Sequence, residues 1–347
     1  MHLFQCDYNK ICHPKVLEKL SSTAQQAMVG YGDDEICAAA ADKIRKLCNA
    51  SELSVHFIPG GTQTNTTVIA AALRPYQAVI AAASGHISEH ETGAIEGTGH
   101  KVLTIPADMG KINPAQIQAL VDLHYGPDGP SPEHMPQPKL VYISMSTELG
   151  TVYSLAELVE ISAVCRKNDL YLYVDGARLG YALAAVDNDV TMADLARLTD
   201  AFYMGGTKQG TMFGEAVVIA NPVLAQDFRY MIKRQGGMLA KGWLMGLQFE
   251  ALLEDDLYFA IAKEANRMAD QIRDALRAAG IETPFLNSTN QVFAVMSDAE
   301  LAELSKEFLF TEWERVDSSH LMIRFCTSWA TTQEQVGALC DWLKSRK

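Results

Sequence analysis

The chain has 347 residues, of which 48% are hydrophobic and 20% are charged, so it can bury a large core and is too apolar for a disordered protein. Its net charge of −13, with no basic run, argues against nucleic acid or an anionic membrane as a partner. No apolar stretch is long enough to cross a bilayer, no secretory signal is visible, and seven scattered cysteines without a C-x-x-C pair predict reduced thiols in a cytoplasmic protein.

The first predicted strand leads into a glycine turn. Apolar spacing predicts a helix over residues 35–47, then a strand over 54–59, and then a helical run over 66–73. Between strand and helix lies Gly60-Gly-Thr-Gln-Thr-Asn65. Because such a turn presents free backbone N–H groups to an anion, Gly61 and Thr62 are predicted to bind a phosphate. Helix capping by Thr62 or Asn65 is the alternative.

A histidine-rich peptide follows the strand predicted over residues 79–83. His86, Glu89 and His90 match H-x-x-E-H, the inverted zinc-peptidase motif, in which two imidazoles lie one helical turn apart. His86 also lies just past a strand end, where its ring can lie flat over a bound cofactor. A plain pair of surface or core histidines is the third reading. The cofactor role is favoured over both alternatives because of the neighbouring sites.

The next segment alternates strands and helices around a proline-rich stretch. Strands are predicted over 101–105 and 140–145, with a helix over 114–123. Residues 126–138 carry five prolines, which predicts an absence of regular structure. Ser154 and Glu157 form a capping-box pattern that predicts the start of a helix over 155–167.

Two consecutive apolar strands then end in polar loops that carry an acid and a base. The first runs from Tyr171 into Asp175, and the second runs from Phe202 into the glycine-rich turn that holds Lys208. The carboxyl ends of strands in an open parallel sheet face one crevice, so both side chains are expected in one site. Alone, the acid is more often a helix cap and the lysine a surface charge. Together they suit pyridoxal phosphate (PLP), which takes a lysine Schiff base on its aldehyde and a carboxylate on its pyridinium nitrogen.

Beyond Lys208 the pattern predicts the end of one domain and the whole of a second. A strand is predicted over 215–220, and an apolar helical region over 223–253 is interrupted at Gly236-Gly237. We expect an N-terminal arm and large PLP-binding domain over 1–257 and a small α+β domain over 258–347. The elements predicted in the small domain are helices over 258–279, 298–308 and 332–345 and strands over 291–296 and 321–326.

Seven blocks in this order resemble fold-type I PLP enzymes, in the group of L-threonine aldolases and related β-eliminating lyases. The resemblance covers nearly the whole chain. It implies an α/β fold of the aspartate aminotransferase type, with a mostly parallel seven-stranded sheet and a smaller C-terminal α+β domain. The blocks are Gly30-Tyr-Gly-Asp-Asp-Glu35, Gly60-Gly-Thr-Gln-Thr-Asn65, His86 with Glu91-Thr-Gly-Ala94, Thr147-Glu-Leu-Gly-Thr151, Val174-Asp-Gly-Ala-Arg178, Gly205-Gly-Thr-Lys-Gln-Gly210 and Ile323-Arg-Phe-Cys-Thr-Ser328.

The resemblance also implies roles for individual residues around the cofactor. Lys208 would form the Schiff base, and Asp175 would keep the pyridinium nitrogen charged. Gly61 and Thr62 would bind the phosphate, and His86 would stack on the ring. No metal is implied.

The substrate side is implied in the same way. Arg178, beside the cofactor, and Arg324 would bind the substrate carboxylate, because a guanidinium fork suits that geometry. Asp7 is also assigned to substrate binding. It lies where many aldolases place a serine before an aspartate to help hold the carboxylate, and here Cys6 precedes it. Tyr31 would complete the site from a neighbouring subunit of a homodimer or homotetramer. The lysine turn also departs from the commoner Leu-Ser-Lys-Gly-Leu form.

The implied reaction is retro-aldol cleavage of a β-hydroxy-α-amino acid to glycine and an aldehyde, with His86 or a water that it orients as the base. β-Elimination from an amino acid is the alternative within the same cofactor class, and aminotransfer is a weaker one. A zinc hydrolase built on His86, Glu89 and His90 is the alternative from a different class. A PLP-binding protein without turnover is the last.

Overall fold

The computed structural model describes residues 1–126 and 131–345. The strands are β1 (His2–Leu3), β2 (Ser54–Ile58), β3 (Gln77–Ala82), β4 (Val102–Ile105), β5 (Gln137–Ser144), β6 (Tyr171–Asp175), β7 (Ala201–Gly205), β8 (Glu215–Ile219), β9 (Gln291–Ser297), β10 (Phe308–Leu309), β11 (Thr311–Arg315) and β12 (His320–Cys326). The α-helices are α1 (Pro14–Ser22), α2 (Glu35–Leu47), α3 (Gly61–Ala72), α4 (His86–Glu89), α5 (Ala94–Gly97), α6 (Pro114–Tyr125), α7 (Leu155–Lys167), α8 (Leu179–Leu183), α9 (Met192–Leu198), α10 (Pro222–Ala225), α11 (Phe228–Arg234), α12 (Trp243–Leu252), α13 (Leu257–Ala278), α14 (Asp298–Leu304) and α15 (Gln333–Lys344). Short 3₁₀ helices cover Pro132–His134 and Glu254–Asp256.

The largest sheet has seven strands in the order β2-β8-β7-β6-β5-β3-β4. Strands β7, β6, β5, β3 and β4 are parallel neighbours, whereas β8 is antiparallel to both β7 and β2. Every residue of β3, β7 and β8 is buried, as expected for a sheet covered by helices on both faces. The predicted mostly parallel seven-stranded sheet is confirmed.

Alternate residues of these strands face two different cores. In β5, Val141 and Ile143 pack in a core with residues of helices α2, α7 and α9. Leu140 and Tyr142 of the same strand pack on the opposite face, in a core with residues of α3 and α11. Side chains alternate across a strand with period two, so one short apolar strand can serve both cores.

A second, smaller core surrounds an antiparallel sheet of three strands in the order β11-β12-β9. Residues of α13, α14 and α15 pack on this sheet. The N-terminal strand β1 pairs in parallel with β10, and Phe4 is completely buried in the same core. The N-terminal arm therefore packs on the C-terminal unit, and a division between residues 257 and 258 stays a prediction.

Several predicted elements were wrong in extent. The helical region expected over 223–253 has the predicted interruption at Gly236, where φ is 76°, but it is broken a second time at Asp227, where φ is 58°, so it forms α10, α11 and α12. The helix expected over 298–308 ends at Leu304, and Phe308 belongs to strand β10. The proline-rich stretch 126–138 contains a 3₁₀ turn and the first residues of β5, while residues 127–130 lie outside the described residues. Across the described chain, no helix is both long and apolar enough to cross a membrane.

Candidate active site

The candidate site lies where β6 and β7 end side by side. The two strands pair in parallel, and the N–H of Gly205, the last residue of β7, donates at 2.9 Å to the carbonyl of Gly176 in the loop after β6. Asp175 is the last residue of β6, and Lys208 lies in the turn after β7. The structure therefore brings these two residues to the same edge of the sheet.

Four donors surround the carboxylate of Asp175, which is 4% exposed. The hydroxyls of Tyr203 and Tyr142 donate to Oδ1 and Oδ2 respectively, both at 2.6 Å. The backbone N–H of Ala177 donates to Oδ1 at 3.0 Å, and Nδ2 of Asn65 donates to Oδ2 at 3.0 Å. Each carboxylate oxygen thus receives two hydrogen bonds.

This pairing decides the charge of Asp175. Burial favours the neutral acid, but the nearby His86 and the hydrogen bonds from Tyr142 and Tyr203 outweigh it, so the pKa of Asp175 is lowered. Asp175 is therefore ionised at neutral pH. A buried carboxylate in this state can hold a protonated ring nitrogen.

Lys208 is half-buried, and within residues 1–126 and 131–345 its ammonium group makes no hydrogen bond or ion pair. Burial and the positive charge of Arg178 lower its pKa, although Asp7 and Asp175 oppose that shift. The hydroxyl of Tyr181 donates to the Lys208 carbonyl at 2.6 Å and holds the backbone in place. A lysine with a lowered pKa offers more free amine for attack on a carbonyl at neutral pH.

Glu215, at the start of β8, accepts hydrogen bonds from the turn that carries Lys208. Its Oε2 accepts from the N–H of Gly206 at 2.8 Å, and its Oε1 accepts from the hydroxyl of Thr207 at 2.7 Å. Burial raises the pKa of Glu215 to about 7, in spite of these hydrogen bonds and the charge of Lys208. The carboxyl group fixes the two residues that precede the lysine.

His86, at the start of α4, is oriented by two acidic side chains. Its Nδ1 lies 2.9 Å from Oε1 of Glu91, and its backbone N–H donates to Oε1 of Glu148 at 2.9 Å. The Glu91 side chain is completely buried, whereas the imidazole is 34% exposed. Because a carboxylate only accepts hydrogen bonds, we place the proton on Nδ1, which leaves Nε2 as an acceptor.

The zinc motif does not assemble as a metal site. The rings of His86 and His90 are 5.6 Å apart, and Nδ1 of His86 faces Glu91. Among the residues that the structure describes, no group of three or more His, Cys, Asp or Glu side chains is placed to hold a metal ion.

The first turn of α3 presents unused backbone donors. Gly60 precedes the helix without a side-chain cap, and the first helical hydrogen bond runs from the Thr64 N–H to the Gly60 carbonyl at 2.9 Å. The N–H groups of Gly61 and Thr62 therefore have no partner in the described chain. Capping by Thr62 or Asn65, the alternative from the sequence, does not occur. A helix start of this kind favours an anion.

Arg178 is already paired within the chain. Its Nε donates to Oδ2 of Asp7 at 2.7 Å and its Nη2 to Oδ1 at 3.1 Å, and both side chains are buried. Asn290 donates to the same carboxylate at 3.0 Å. Burial opposes ionisation, but the charges of Arg178 and Lys208 lower the pKa of Asp7 to about 2. The guanidinium fork predicted to bind a substrate carboxylate is thus occupied by Asp7. Of its three nitrogens, Nη1 is the one that does not donate to Asp7.

Arg324, on β12, retains an unpaired donor. Its Nη1 donates to Oε1 of Gln291 at 3.0 Å, and its guanidinium carbon lies 4.9 Å from the ring centre of Trp313. Its Nε is buried and has no hydrogen-bond partner among the described residues. Burial and the neighbouring His86 lower the pKa of His90, and the positive charges of Arg324 and Lys208 add to that shift.

Tyr31 is the predicted site residue that this chain does not bring to the cluster. It is 47% exposed and has a positive φ of 62°. Its ring lies 4.9 Å below the ammonium of Lys233, and its carbonyl accepts from Arg229 at 3.3 Å. These contacts are with α11, and neither is with Asp175 or Lys208.

The residues present match the groups of PLP. The amine of Lys208 suits an aldehyde, the ionised Asp175 suits a pyridinium nitrogen, and the N–H groups of Gly61 and Thr62, which have no partner within residues 1–126 and 131–345, suit a phosphate. The buried Nε of Arg324, also without a partner in those ranges, suits an anionic substrate group.

Comparison with known proteins identifies the family of the chain. The model of the beta-eliminating lyase family matches residues 14–299. The chain belongs to this family. It is 34% identical to a low specificity L-threonine aldolase from Pseudomonas sp. and 30% identical to one from Pseudomonas aeruginosa, covering 96% of this chain and 94% of the relative in each case.

Solved structures of family members and of more distant enzymes share the fold. The threonine aldolase of Leishmania major is 45% identical, with 99% of each chain covered and a TM-score of 0.96. Aspartate aminotransferase from Thermus thermophilus is 16% identical and has a TM-score of 0.71 over the whole of this chain and 92% of its own. At that identity the likeness shows the fold alone, and it confirms the predicted aspartate aminotransferase fold.

The tyrosines around Asp175 were not predicted, although their positions in the sequence follow a regular pattern. Tyr142, Tyr173 and Tyr203 each lie two residues before the last residue of β5, β6 and β7. Residues two apart share a face of a strand, so three hydroxyls meet beside the strand ends. Glu91 stood in one of the seven resemblance blocks, but nothing in its local sequence indicated that it accepts a hydrogen bond from His86.

Proposed function

We propose that this chain uses PLP to cleave β-hydroxy-α-amino acids of the L-threonine type into glycine and an aldehyde. The observation that carries the proposal is the unpaired, half-buried amine of Lys208 at the same sheet edge as the ionised Asp175. Full-length similarity to the threonine aldolase of Leishmania major supports the choice of reaction.

When bound, PLP supplies an aldehyde and an electron-accepting pyridinium ring. Lys208 would hold it covalently through the ε-amine, and Asp175 would hold its ring nitrogen. The N–H groups of Gly61 and Thr62 would hold its phosphate. His86 would lie against the ring, with Nε2 turned away from Glu91.

The substrate would be held and deprotonated by residues of the same cluster. Arg324 would bind the α-carboxylate through its unpaired Nε, and Arg178, fixed by Asp7, would add its charge and its Nη1. His86 Nε2 would take the proton of the β-hydroxyl, directly or through a water. As the Cα–Cβ bond breaks, the hydroxyl becomes the aldehyde, and a proton added at Cα completes glycine.

We extend the proposal to assembly and location. Tyr31 is exposed and lies outside the cluster, which supports a homodimer or homotetramer in which it reaches the site of a partner. All seven cysteines are free thiols, four of them buried, which supports the cytoplasmic location expected from the sequence.

The test is product analysis with purified protein, PLP and L-threonine or L-allo-threonine. Glycine and acetaldehyde are expected in equal amounts from the natural protein and not from Lys208→Ala. The matched control is Lys241→Ala, because Lys241 is exposed and outside the cluster. No glycine from either substrate, or equal rates in Lys208→Ala, contradicts the proposal.

β-Elimination is the second candidate, and the family to which the chain belongs favours it. In that reaction a group leaves from Cβ and the product is pyruvate with ammonia. A cysteine conjugate or tryptophan tested beside L-threonine separates the two. Pyruvate without glycine would replace aldol cleavage by elimination.

A further inference from the structure

The amide of Asn65 lies between two buried carboxylates. Its Nδ2 donates to Oε1 of Glu91 at 2.8 Å and to Oδ2 of Asp175 at 3.0 Å, and the residue is completely buried. The hydroxyl of Tyr173 donates to Oδ1 of Asn65 at 2.8 Å. This contact fixes the orientation of the amide, because the reversed amide would turn its oxygen towards both carboxylates.

The two carboxylates serve different parts of the site. Glu91 receives Nδ1 of His86 on the same oxygen that receives Asn65, at 2.9 Å. Asp175 is the carboxylate assigned to the cofactor nitrogen. The two hydrogens of one amide thus join the imidazole to that carboxylate through a continuous path, His86 to Glu91 to Asn65 to Asp175.

We propose that Asn65 is a positioning residue that sets the orientation and tautomer of His86 relative to Asp175. Without the amide, two buried carboxylate oxygens would lose a donor and face each other, which is costly for charged groups out of water. Glu91 can relieve this by turning, because its Oε2 has no partner among the described residues. The His86 imidazole would turn with it and lose the hydrogen bond that keeps the proton on Nδ1.

The first experiment reads the tautomer directly, without turnover. Protein labelled with ¹⁵N-histidine is compared with Asn65→Ala and with Asn65→Asp, which keeps the size but replaces the donor by an acceptor. His86 is assigned with a His86→Gln sample. We expect the Nδ1–H form in the natural protein and a shift towards the Nε2–H form in both variants. The proposal is overturned if either variant folds and its His86 signals are the same as those of the natural protein.

The control is a second buried asparagine outside this path. Asn266, on α13, is 4% exposed and donates to the carbonyl of Tyr181 at 2.8 Å. Asn266→Ala should destabilise the protein as Asn65→Ala does but leave the His86 signals unchanged. An equal change of the His86 signals in Asn266→Ala means a general packing effect and overturns the proposal.

A second experiment measures turnover and rests on the proposed function. Asn65→Ala should lower kcat by up to about a hundredfold with little change in KM, because the loss is one of orientation. The effect of Asn65 on His86 passes through Glu91, so the double variant with Glu91→Gln should lose little beyond Glu91→Gln alone, at most the loss of about fivefold expected for one lost donor to Asp175. Losses that multiply overturn the proposal. If the natural protein cleaves no threonine, the function fails, and the tautomer measurement still decides the role of Asn65.

Discussion

The two sides of the candidate site differ in how their polar atoms are paired. On the ring-nitrogen side, formed by Asp175, Tyr142, Tyr203 and Asn65, the carboxylate receives four hydrogen bonds from the chain itself. On the substrate side, formed by Lys208 and Arg324, the amine has no partner and the buried Nε has none in the described residues. The chain completes the first side alone and leaves donors on the second for a ligand.

This difference has an energetic meaning. A carboxylate held by fixed donors needs no rearrangement when charge develops on the ring, which is the preorganisation that electrostatic catalysis requires. An unpaired buried donor costs about 1–3 kcal/mol, and a bound anion recovers that cost. The first side should therefore control turnover, and the second should control binding.

Asp175→Asn should have the largest effect of the substitutions that test this division. It keeps the shape but removes the charge, so kcat should fall by about a hundredfold to a thousandfold while the cofactor still binds. Tyr203→Phe is the matched control, because it keeps the carboxylate and removes one donor. It should raise the activation free energy by only about 1 kcal/mol. The measurement is steady-state kinetics with saturating PLP. A near-normal kcat in Asp175→Asn would contradict the claim that the ring-nitrogen side of the site controls turnover.

Arg324→Lys should act mainly on binding. A point charge cannot replace the guanidinium fork or its stacking on Trp313, so KM should rise by about tenfold with a much smaller change in kcat. Arg315→Lys, on the adjacent strand β11, replaces an exposed arginine paired with Asp298 and should leave KM unchanged. If KM is unaltered in Arg324→Lys, Arg324 does not bind the substrate.

Glu215→Gln should have the smallest effect on the native protein, and the effect should depend on pH. The pKa of Glu215 rises on folding from 4.5 to about 7, so the folded protein binds more protons between these values. This stabilisation is complete below about 4.5 and is lost as pH rises through about 7, with a slope of up to about 1.4 kcal/mol per pH unit.

The measurement is urea unfolding of the cofactor-free protein at several pH values. Glu215→Gln should flatten the fall in stability between pH 4.5 and 7. Glu303→Gln, an exposed side chain paired with Lys306, is the control and should keep it. If the free energy of unfolding depends on pH in the same way in the natural protein and in Glu215→Gln, protonation of Glu215 does not stabilise the turn that carries Lys208.

The parts of the fold that follow from local pattern were predictable. Apolar strands that end in polar loops identified Asp175 and Lys208, because parallel strands deliver their carboxyl ends to one edge of a sheet. The two-residue strands β1 and β10 were not predictable, since two residues carry no periodicity. Their pairing joins positions about three hundred residues apart in the chain.

Most features of the site that were not predicted from the sequence are contacts between residues far apart in the chain. The partner of Arg178 is Asp7, 171 residues away, and no local pattern indicates that the fork is occupied. Asn65 looked like a helix cap because its type and place suit one, but its amide contacts carboxylates on two other segments. In the assembly that we propose, Tyr31 reaches the site of a second copy of the chain, which a single sequence does not describe.

The most direct test of the central claim is to find where the cofactor is attached. Purified protein incubated with PLP is reduced with borohydride, digested and examined by mass spectrometry. The account predicts one modified peptide, with the pyridoxyl phosphate mass on Lys208, and its loss in Lys208→Ala. Modification of a different lysine, or none at all, would contradict the account.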